Sequence, residues 1–212
     1  MSPAEERVIA GEACVAEGAE YLAARDAGMA RALEVTGPLP LRLKPDGFAE
    51  LLSAIVSQQV SVASANAIWA RLEAAGLTDD AAIRAASEEQ LRSVGLSRQK
   101  ARYAKALAEA RIDYDALRAL PSGEVIARLV EVKGIGIWTA EIYAKFSLGR
   151  ADVFAAGDLA LQEAARLLYG LDARPRETAL REMAENWRPW RAVAARILWA
   201  YYHVEKSREG IR

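Results

Sequence analysis

Apolar residues recur at three- and four-residue spacing along almost the whole chain, and no convincing stretch alternates with the period of two that a half-buried strand needs. "FAELLSAIV" puts Phe48, Leu51, Leu52 and Ile55 on one helical face, and "SVASANAIWARL" does the same with Val62, Ala65, Ile68, Trp69 and Leu72. "SEEQLRSVG" opens with Ser87 and Gln90 in capping-box spacing and closes on Gly95. "SRQKARYAKALAEA" reads as a basic-faced helix, "DLALQEAARLLYG" runs from Asp158 to Gly170, and "PRETALREMAENW" and "RPWRAVAARILWAYYHV" complete the set. The fold class that follows is all-α. "PLPLRLKPDG" (38–47) alternates, but its three prolines make it a linker. A second break falls in "LGRADVFAAG" (148–157). The expected organisation is a central helical subdomain over 46–150. A second subdomain is built from a helical N-terminal segment, 1–45, packed with 151–212.

Composition narrows the chemistry. One cysteine (Cys14) and one histidine (His203) in 212 residues are too few for a zinc cluster or a cysteine-ligated iron–sulfur cluster. Cys14 reads as a small apolar residue. The net charge of −1 argues against a general polyanion binder but leaves room for a local basic face. No apolar run approaches the roughly 20 residues of a membrane span. The acidic start "MSPAEERVIAGEA" lacks the layout of a secretion signal, so a cytoplasmic protein is expected.

The stretch "VKGIGIWTAE" (132–141) interrupts the helical pattern. A helix, a glycine hairpin over Gly134 and Gly136, and an immediate second helix make a physical device. Glycine opens backbone angles closed to other residues, and no side chain obstructs a ligand. The N–H groups and positive dipole end of the second helix point into the turn, which suits a phosphate. Leu129, Val130, Ile135 and Ile137 are expected to hold the two helices together. A plain glycine-capped αα-turn is the alternative.

"LVEVKGIGIWTAEIYAKF" resembles the helix-hairpin-helix (about 124–147) of the DNA glycosylase superfamily that carries a Gly/Pro-rich loop and a downstream aspartate. "AIVSQQVSVASANAIWARL" is similar to the helix pair that probes the duplex. "LRSVGLSRQKARYAKALA" matches the segment leading to the hairpin, "DVFAAGDLALQ" lies at the catalytic aspartate, and "WRPWRAVAARILWAYY" is similar to the last helix of the DNA-3-methyladenine glycosylase II subfamily. The resemblance covers about 170 residues in the same order. The only marked departures are the missing N-terminal β-domain of longer relatives and a tyrosine one position late, since Ile142 precedes Tyr143.

The resemblance implies two helical subdomains flanking a DNA-binding cleft, and an enzyme acting on double-stranded DNA that contains damaged bases. Trp138 occupies the slot where lyase-type relatives carry a nucleophilic lysine. An indole forms no Schiff base, so a monofunctional, water-using glycosylase is expected. Asp158 is the implied catalytic carboxylate, with Asp152 its near competitor. Trp138, Trp199 and Tyr143 are the implied base pocket. Aromatic faces there would attract a cationic alkylated purine. Core packing is the ordinary reading of a helical Trp, and it is preferred for Trp69, Trp187 and Trp190. Gln59, Lys133, Gly134, Ile135, Gly136 and Thr139 are the implied DNA-binding residues, with Gln59 inserted into the gap left by the flipped base. Main-chain carbonyls of Val130, Val132 and Ile135 are the implied ligands of a structural monovalent cation. No cofactor is required, and no iron–sulfur cluster is expected. The implied protein is a monomer, nucleoid-associated, with no membrane partner. Of Arg98, Lys100, Arg102, Lys105, Lys133, Lys145 and Arg150, two or three are expected to touch phosphates. The rivals are a glycosylase for an oxidised, deaminated or mismatched base, and a non-catalytic helix-hairpin-helix binding module.

Overall fold

The computed structural model describes residues 6–208. Among them the only strand-type pairing is an isolated antiparallel bridge between Val8 and Arg150. The helices are α1 (Glu12–Ala23), α2 (Ala27–Thr36), α3 (Phe48–Ser57), α4 (Val62–Ala74), α5 (Asp80–Ala85), α6 (Glu88–Ser93) and α7 (Arg98–Glu109). They continue with α8 (Tyr114–Arg118), α9 (Ser122–Val130), α10 (Ile137–Phe146), α11 (Leu159–Tyr169), α12 (Glu177–Ala184) and α13 (Arg191–Arg208). The chain divides into two compact units, one running from Lys44 to Tyr143 and the other formed by the residues on either side of it. One division falls at the end of the proline linker and the other inside α10.

The Lys44–Tyr143 unit is assembled from short, individually capped helices. Ser61, Asp79, Ser97 and Asp113 each accept a backbone N–H of the helix they precede. Ser87 and Gln90 form the reciprocal capping box that their spacing announces. α3, α5 and α6 pack on α7, burying Leu51, Leu52, Ile55, Ile83, Leu91 and Leu107 completely or nearly so. The Lys100 ammonium closes the C-terminal end of α3 by donating to the Val56 carbonyl at 2.6 Å. A cation is favourable at that end of a helix, and burial pulls its pKa below the usual lysine value.

In the other unit α13 packs on α1, α2 and α11. Ala192, Val193, Ala194 and Ala195 are buried small residues that permit close helix approach. At Gly18 in α1 a Cβ would lie 2.7 Å from Val193, so only glycine fits. Trp187 and Trp190 are core residues, as their reading requires, and Cys14 is partly buried against the same core. Trp187 packs on Phe154 and Tyr169. Asp26 gathers this region: one carboxylate oxygen caps α2 and the other accepts from Tyr169 and Trp187. The buried Arg196 donates to the Leu41 carbonyl and so ties the linker to α13. Burial, with Arg42 adding to it, lowers the Arg196 pKa to about 10.

Three packing expectations fail. Trp69 is only half buried and donates to Glu73 at 2.9 Å. Val62, placed on the apolar face of α4, is 77% exposed because it stands at the first turn, ahead of the packed segment. In the hairpin, Leu129 and Ile135 are buried, but Val130 is 39% and Ile137 50% exposed.

Candidate active site

The hairpin is a tight turn in which the Ile135 N–H donates to the Val132 carbonyl at 3.0 Å. Its two glycines do different jobs. Gly134 has φ +101°, and a Cβ there would sit 2.4 Å from the Tyr103 ring, so conformation and space both demand glycine. Gly136 has no positive φ, and a Cβ on it would meet nothing within 4 Å. What its missing side chain provides is open access at the start of α10, where the Ala140 N–H to Gly136 carbonyl bond closes the first turn. Lys133 is exposed beside it, whereas Ile135 and Thr139 are buried.

The turn between α3 and α4 is fastened to this hairpin. Gln58 donates from Nε2 to the Gly134 carbonyl at 2.9 Å. The next residue, Gln59, is exposed and held at φ +57°, a conformation unusual outside glycine and asparagine. Val60 and Val62 beside it are exposed apolar residues. The family resemblance singled out Gln59; nothing in the sequence marked Gln58 as the anchor.

Between α3 and α10 lies a cavity of about 170 Å³. Trp138, Ile142 and Tyr143 line it from α10, and Glu50, Leu51 and Ala54 from α3. Trp138 is 44% exposed, a large indole not spent on the core. Tyr143 is different. Its ring is buried, its hydroxyl donates to Asp46 and accepts the Gly47 N–H at 3.0 Å. Arg118 donates to the same Asp46 carboxylate. Burial, ahead of the bond to Asp46, pushes the phenol pKa well above its usual value. Tyr143 therefore walls the cavity with its ring while its hydroxyl is committed to the start of α3. Asp46 and Gly47 carried no signal of this in the sequence.

In the other unit, Asp158 is the N-cap of α11. Its Oδ1 accepts the N–H groups of Ala160 at 2.8 Å and Leu161 at 3.1 Å. The loop that delivers it is pinned by Gln162, whose Nε2 donates to the Ala156 carbonyl at 2.9 Å. Asp152, the competing carboxylate, receives Arg188 at 2.9 Å and Arg191 at 2.8 Å and is thereby occupied. Trp199 stacks on Phe146 with ring centroids 5.7 Å apart. The Lys145 ammonium lies 3.9 Å from the Trp199 ring centroid, so this indole already holds a cation supplied by the chain.

The order of these parts matches one family description over residues 52–190, that of the HhH-GPD superfamily base excision DNA repair proteins. The chain belongs to that superfamily. DNA-3-methyladenine glycosylase 1 of Schizosaccharomyces pombe is 34% identical over 165 residues, which cover 74% of this chain and 72% of that protein. The solved structure of a DNA-3-methyladenine glycosidase from Bacillus halodurans superimposes with a TM-score of 0.78 at 35% identity, covering 85% of this chain and 87% of the other. The S. pombe 3-methyladenine DNA glycosylase in complex with abasic DNA gives a TM-score of 0.76 at 32% identity, covering 86% and 95%.

One expectation about charge needs correction. Lys100, Lys145 and Arg150, counted toward a basic surface, are buried, and Lys105 is turned to the Arg84 carbonyl at 2.8 Å. Each long stem lies on an apolar face while its cationic head finds a local acceptor or ring, a use of Lys and Arg that spacing does not reveal. Arg98, Arg102 and Lys133 remain exposed. Among the described residues no group of three or more His, Cys, Asp or Glu side chains is placed to hold a metal. The cation inferred at the hairpin would instead use main-chain oxygens.

Proposed function

We propose that this protein is a monofunctional DNA glycosylase that hydrolyses the N-glycosidic bond of alkylated purines, of the 3-methyladenine and 7-methylguanine type, in duplex DNA. The observation that carries the reading is Trp138, which presents a half-exposed indole to a cavity at the hairpin, in the slot where the family resemblance puts the lysine of lyase-type relatives. The family and the names of the relatives support it.

The hairpin binds a phosphate beside the lesion through N–H groups at the start of α10, approached across Gly136, with Lys133 and Thr139 next to it. The Gln59 side chain, on its rigid left-handed turn, fills the gap left by the flipped nucleotide, and Val60 and Val62 offer apolar contact to unstacked bases. The flipped base enters the Trp138 cavity, where a cationic purine ring gains from the indole face. Trp199, with Lys145 over it, is the weaker attractor of a cationic base.

Asp158 stabilises the oxocarbenium-like charge developing at C1′ and orients the attacking water. Electrostatic stabilisation of this kind is often the largest contribution to rate. Capping uses Oδ1 for two N–H bonds, and the helix dipole favours a carboxylate at that end. A cationic alkylpurine is already a good leaving group, so the reaction does not depend on a strong general acid.

The carbonyl oxygens of Val130, Val132 and Ile135 suit a hard monovalent cation by type: neutral oxygens, with Val130 in the last turn of α9, where carbonyls lack helical partners. A cation there would add positive charge beside the phosphate. A monomeric, cytoplasmic, nucleoid-associated protein is part of the same proposal.

The test is release of methylated bases from alkylated duplex DNA, with a strand-nicking assay in parallel. Wild type should release 3-methyladenine or 7-methylguanine without nicking before alkali. Asp158→Asn should lose about 100-fold or more in rate while binding DNA normally. DNA binding without release by wild type would sink the alkylpurine reading.

A further inference from the structure

The cavity beside Trp138 is not purely apolar. Glu50 lines it from α3, with a side chain only 16% exposed, and its Oε1 is paired with the Lys44 ammonium, which is 50% exposed. Lys44 lies outside any helix, at the end of the proline linker, and carries its ammonium on a long unbranched stem, whereas Glu50 stands in the first turn of a packed helix. The carboxylate is therefore the fixed member of the pair and the ammonium the movable one. A half-exposed ion pair of this kind is weakly held.

We infer that Glu50 is a specificity-determining residue which reads the positive charge of the flipped purine, and that Lys44 is a resident cation that the base displaces. This rests on the alkylpurine reading and deepens it. A carboxylate and an indole face converge on one small space, and each favours a cation there. In the free protein the Lys44 ammonium neutralises Glu50, so the charge is not left without compensation beside an apolar wall. A cationic 3-methyladenine or 7-methylguanine ring replaces one positive charge by another and also offers N–H donors to the carboxylate. A neutral purine cannot make that exchange. To enter, it must leave the pair in place or strand a carboxylate in the cavity. The discrimination is thus built partly on the cost imposed on the wrong ligand.

The experiment compares single-turnover release of 7-methylguanine by wild type, Glu50→Gln, Glu50→Asp and Lys44→Met, with affinity for an abasic duplex measured on the same proteins. The abasic duplex lacks the base and reports folding and DNA grip alone. Glu50→Gln keeps an acceptor of the same shape and loses the charge, so release should fall by about tenfold or more with abasic affinity unchanged. Glu50→Asp should recover a substantial part of the rate. Lys44→Met should raise release by a few-fold, because the competing cation is gone. Unchanged release in Glu50→Gln, or an equal fall in release and abasic affinity, would overturn the proposal. So would Glu50→Asp behaving no better than Glu50→Gln, since charge would then not be what matters. If wild type itself released no methylated purine, the alkylpurine reading would be at fault, and the role given to Glu50 would fall with it.

Discussion

Two helices in this protein begin at residues to which the proposed function assigns roles, and they begin in opposite ways. α11 is preceded by Asp158, whose carboxylate takes the N–H groups of Ala160 and Leu161. α10 is preceded by Gly136, which has no side chain with which to cap anything and no neighbour within 4 Å of where one would be. Every α-helix starts with N–H groups that lack an intrahelical acceptor. At α11 the chain supplies an anion itself and fixes a carboxylate in place. At α10 it clears the approach for an anion from outside. On the proposed function, the same feature of helix physics positions a reactive group in one unit and receives a ligand in the other.

Substitutions at the helix starts and the hairpin separate these uses. The largest effect is expected at Gly134, where Ala must adopt a left-handed conformation and also displace the Tyr103 ring. The cost should be about 3 kcal/mol, read as a fall in the denaturation midpoint, with loss of DNA binding. Retention of normal stability would mean that the turn is not held as described.

Asp26 is a third helix start, with a cap that also receives Tyr169 and Trp187. Asp26→Asn can still cap α2 but cannot accept both of those donors, and should lose about 2 kcal/mol. Burial pushes the Asp26 carboxyl up, but the hydrogen bonds from Tyr169, Met29, Trp187 and Gly28 outweigh it and hold its pKa below the ordinary aspartate value. Its contribution to stability is therefore complete above about pH 4, the unfolded value, and is lost as pH falls through the depressed folded value. Urea denaturation between pH 6 and pH 3 should show wild type and Asp26→Asn converging at the acid end.

At Asp158 the cap and the chemistry come apart. Asp158→Ala should cost about 1 kcal/mol of stability and Asp158→Asn only a few tenths, because Asn caps as well as Asp. Both should lose base release. A variant that caps poorly yet releases base at the wild-type rate would remove Asp158 from the mechanism. The smallest stability change belongs to Gly136→Ala, within about 0.5 kcal/mol. Its effect should appear instead as weaker binding of abasic duplex DNA, and the contrast with Gly134 would be lost if the two variants behaved alike.

Much of this was legible in the sequence for a local reason. The Ser87–Gln90 capping box, the Asp158 cap, the Gly170 stop and the proline linker are set by residues within a few positions of one another. The glycine hairpin announces itself in the same way. What escaped were partners distant along the chain. Gln58 finds the hairpin carbonyl 76 residues on, and Tyr143 finds Asp46 97 residues back. The burial of Lys100, Lys145 and Arg150 also escaped, because a charge pattern does not say which long side chain lies along an apolar face.

The sequence by itself determined an all-helical chain, its caps and breaks, and a glycine hairpin followed at once by a helix with a tryptophan in its first turn. Periodicity and capping are short-range effects, written wherever the residues stand. Only the tertiary structure decided that Gly134 is required by Tyr103 while no packing neighbour requires Gly136. It also decided that Asp152 is spent on two arginines while Asp158 caps a helix, and that Glu50 shares a cavity with Trp138. Those outcomes depend on which side chains from remote segments arrive at the same few cubic ångströms, and no local pattern encodes that.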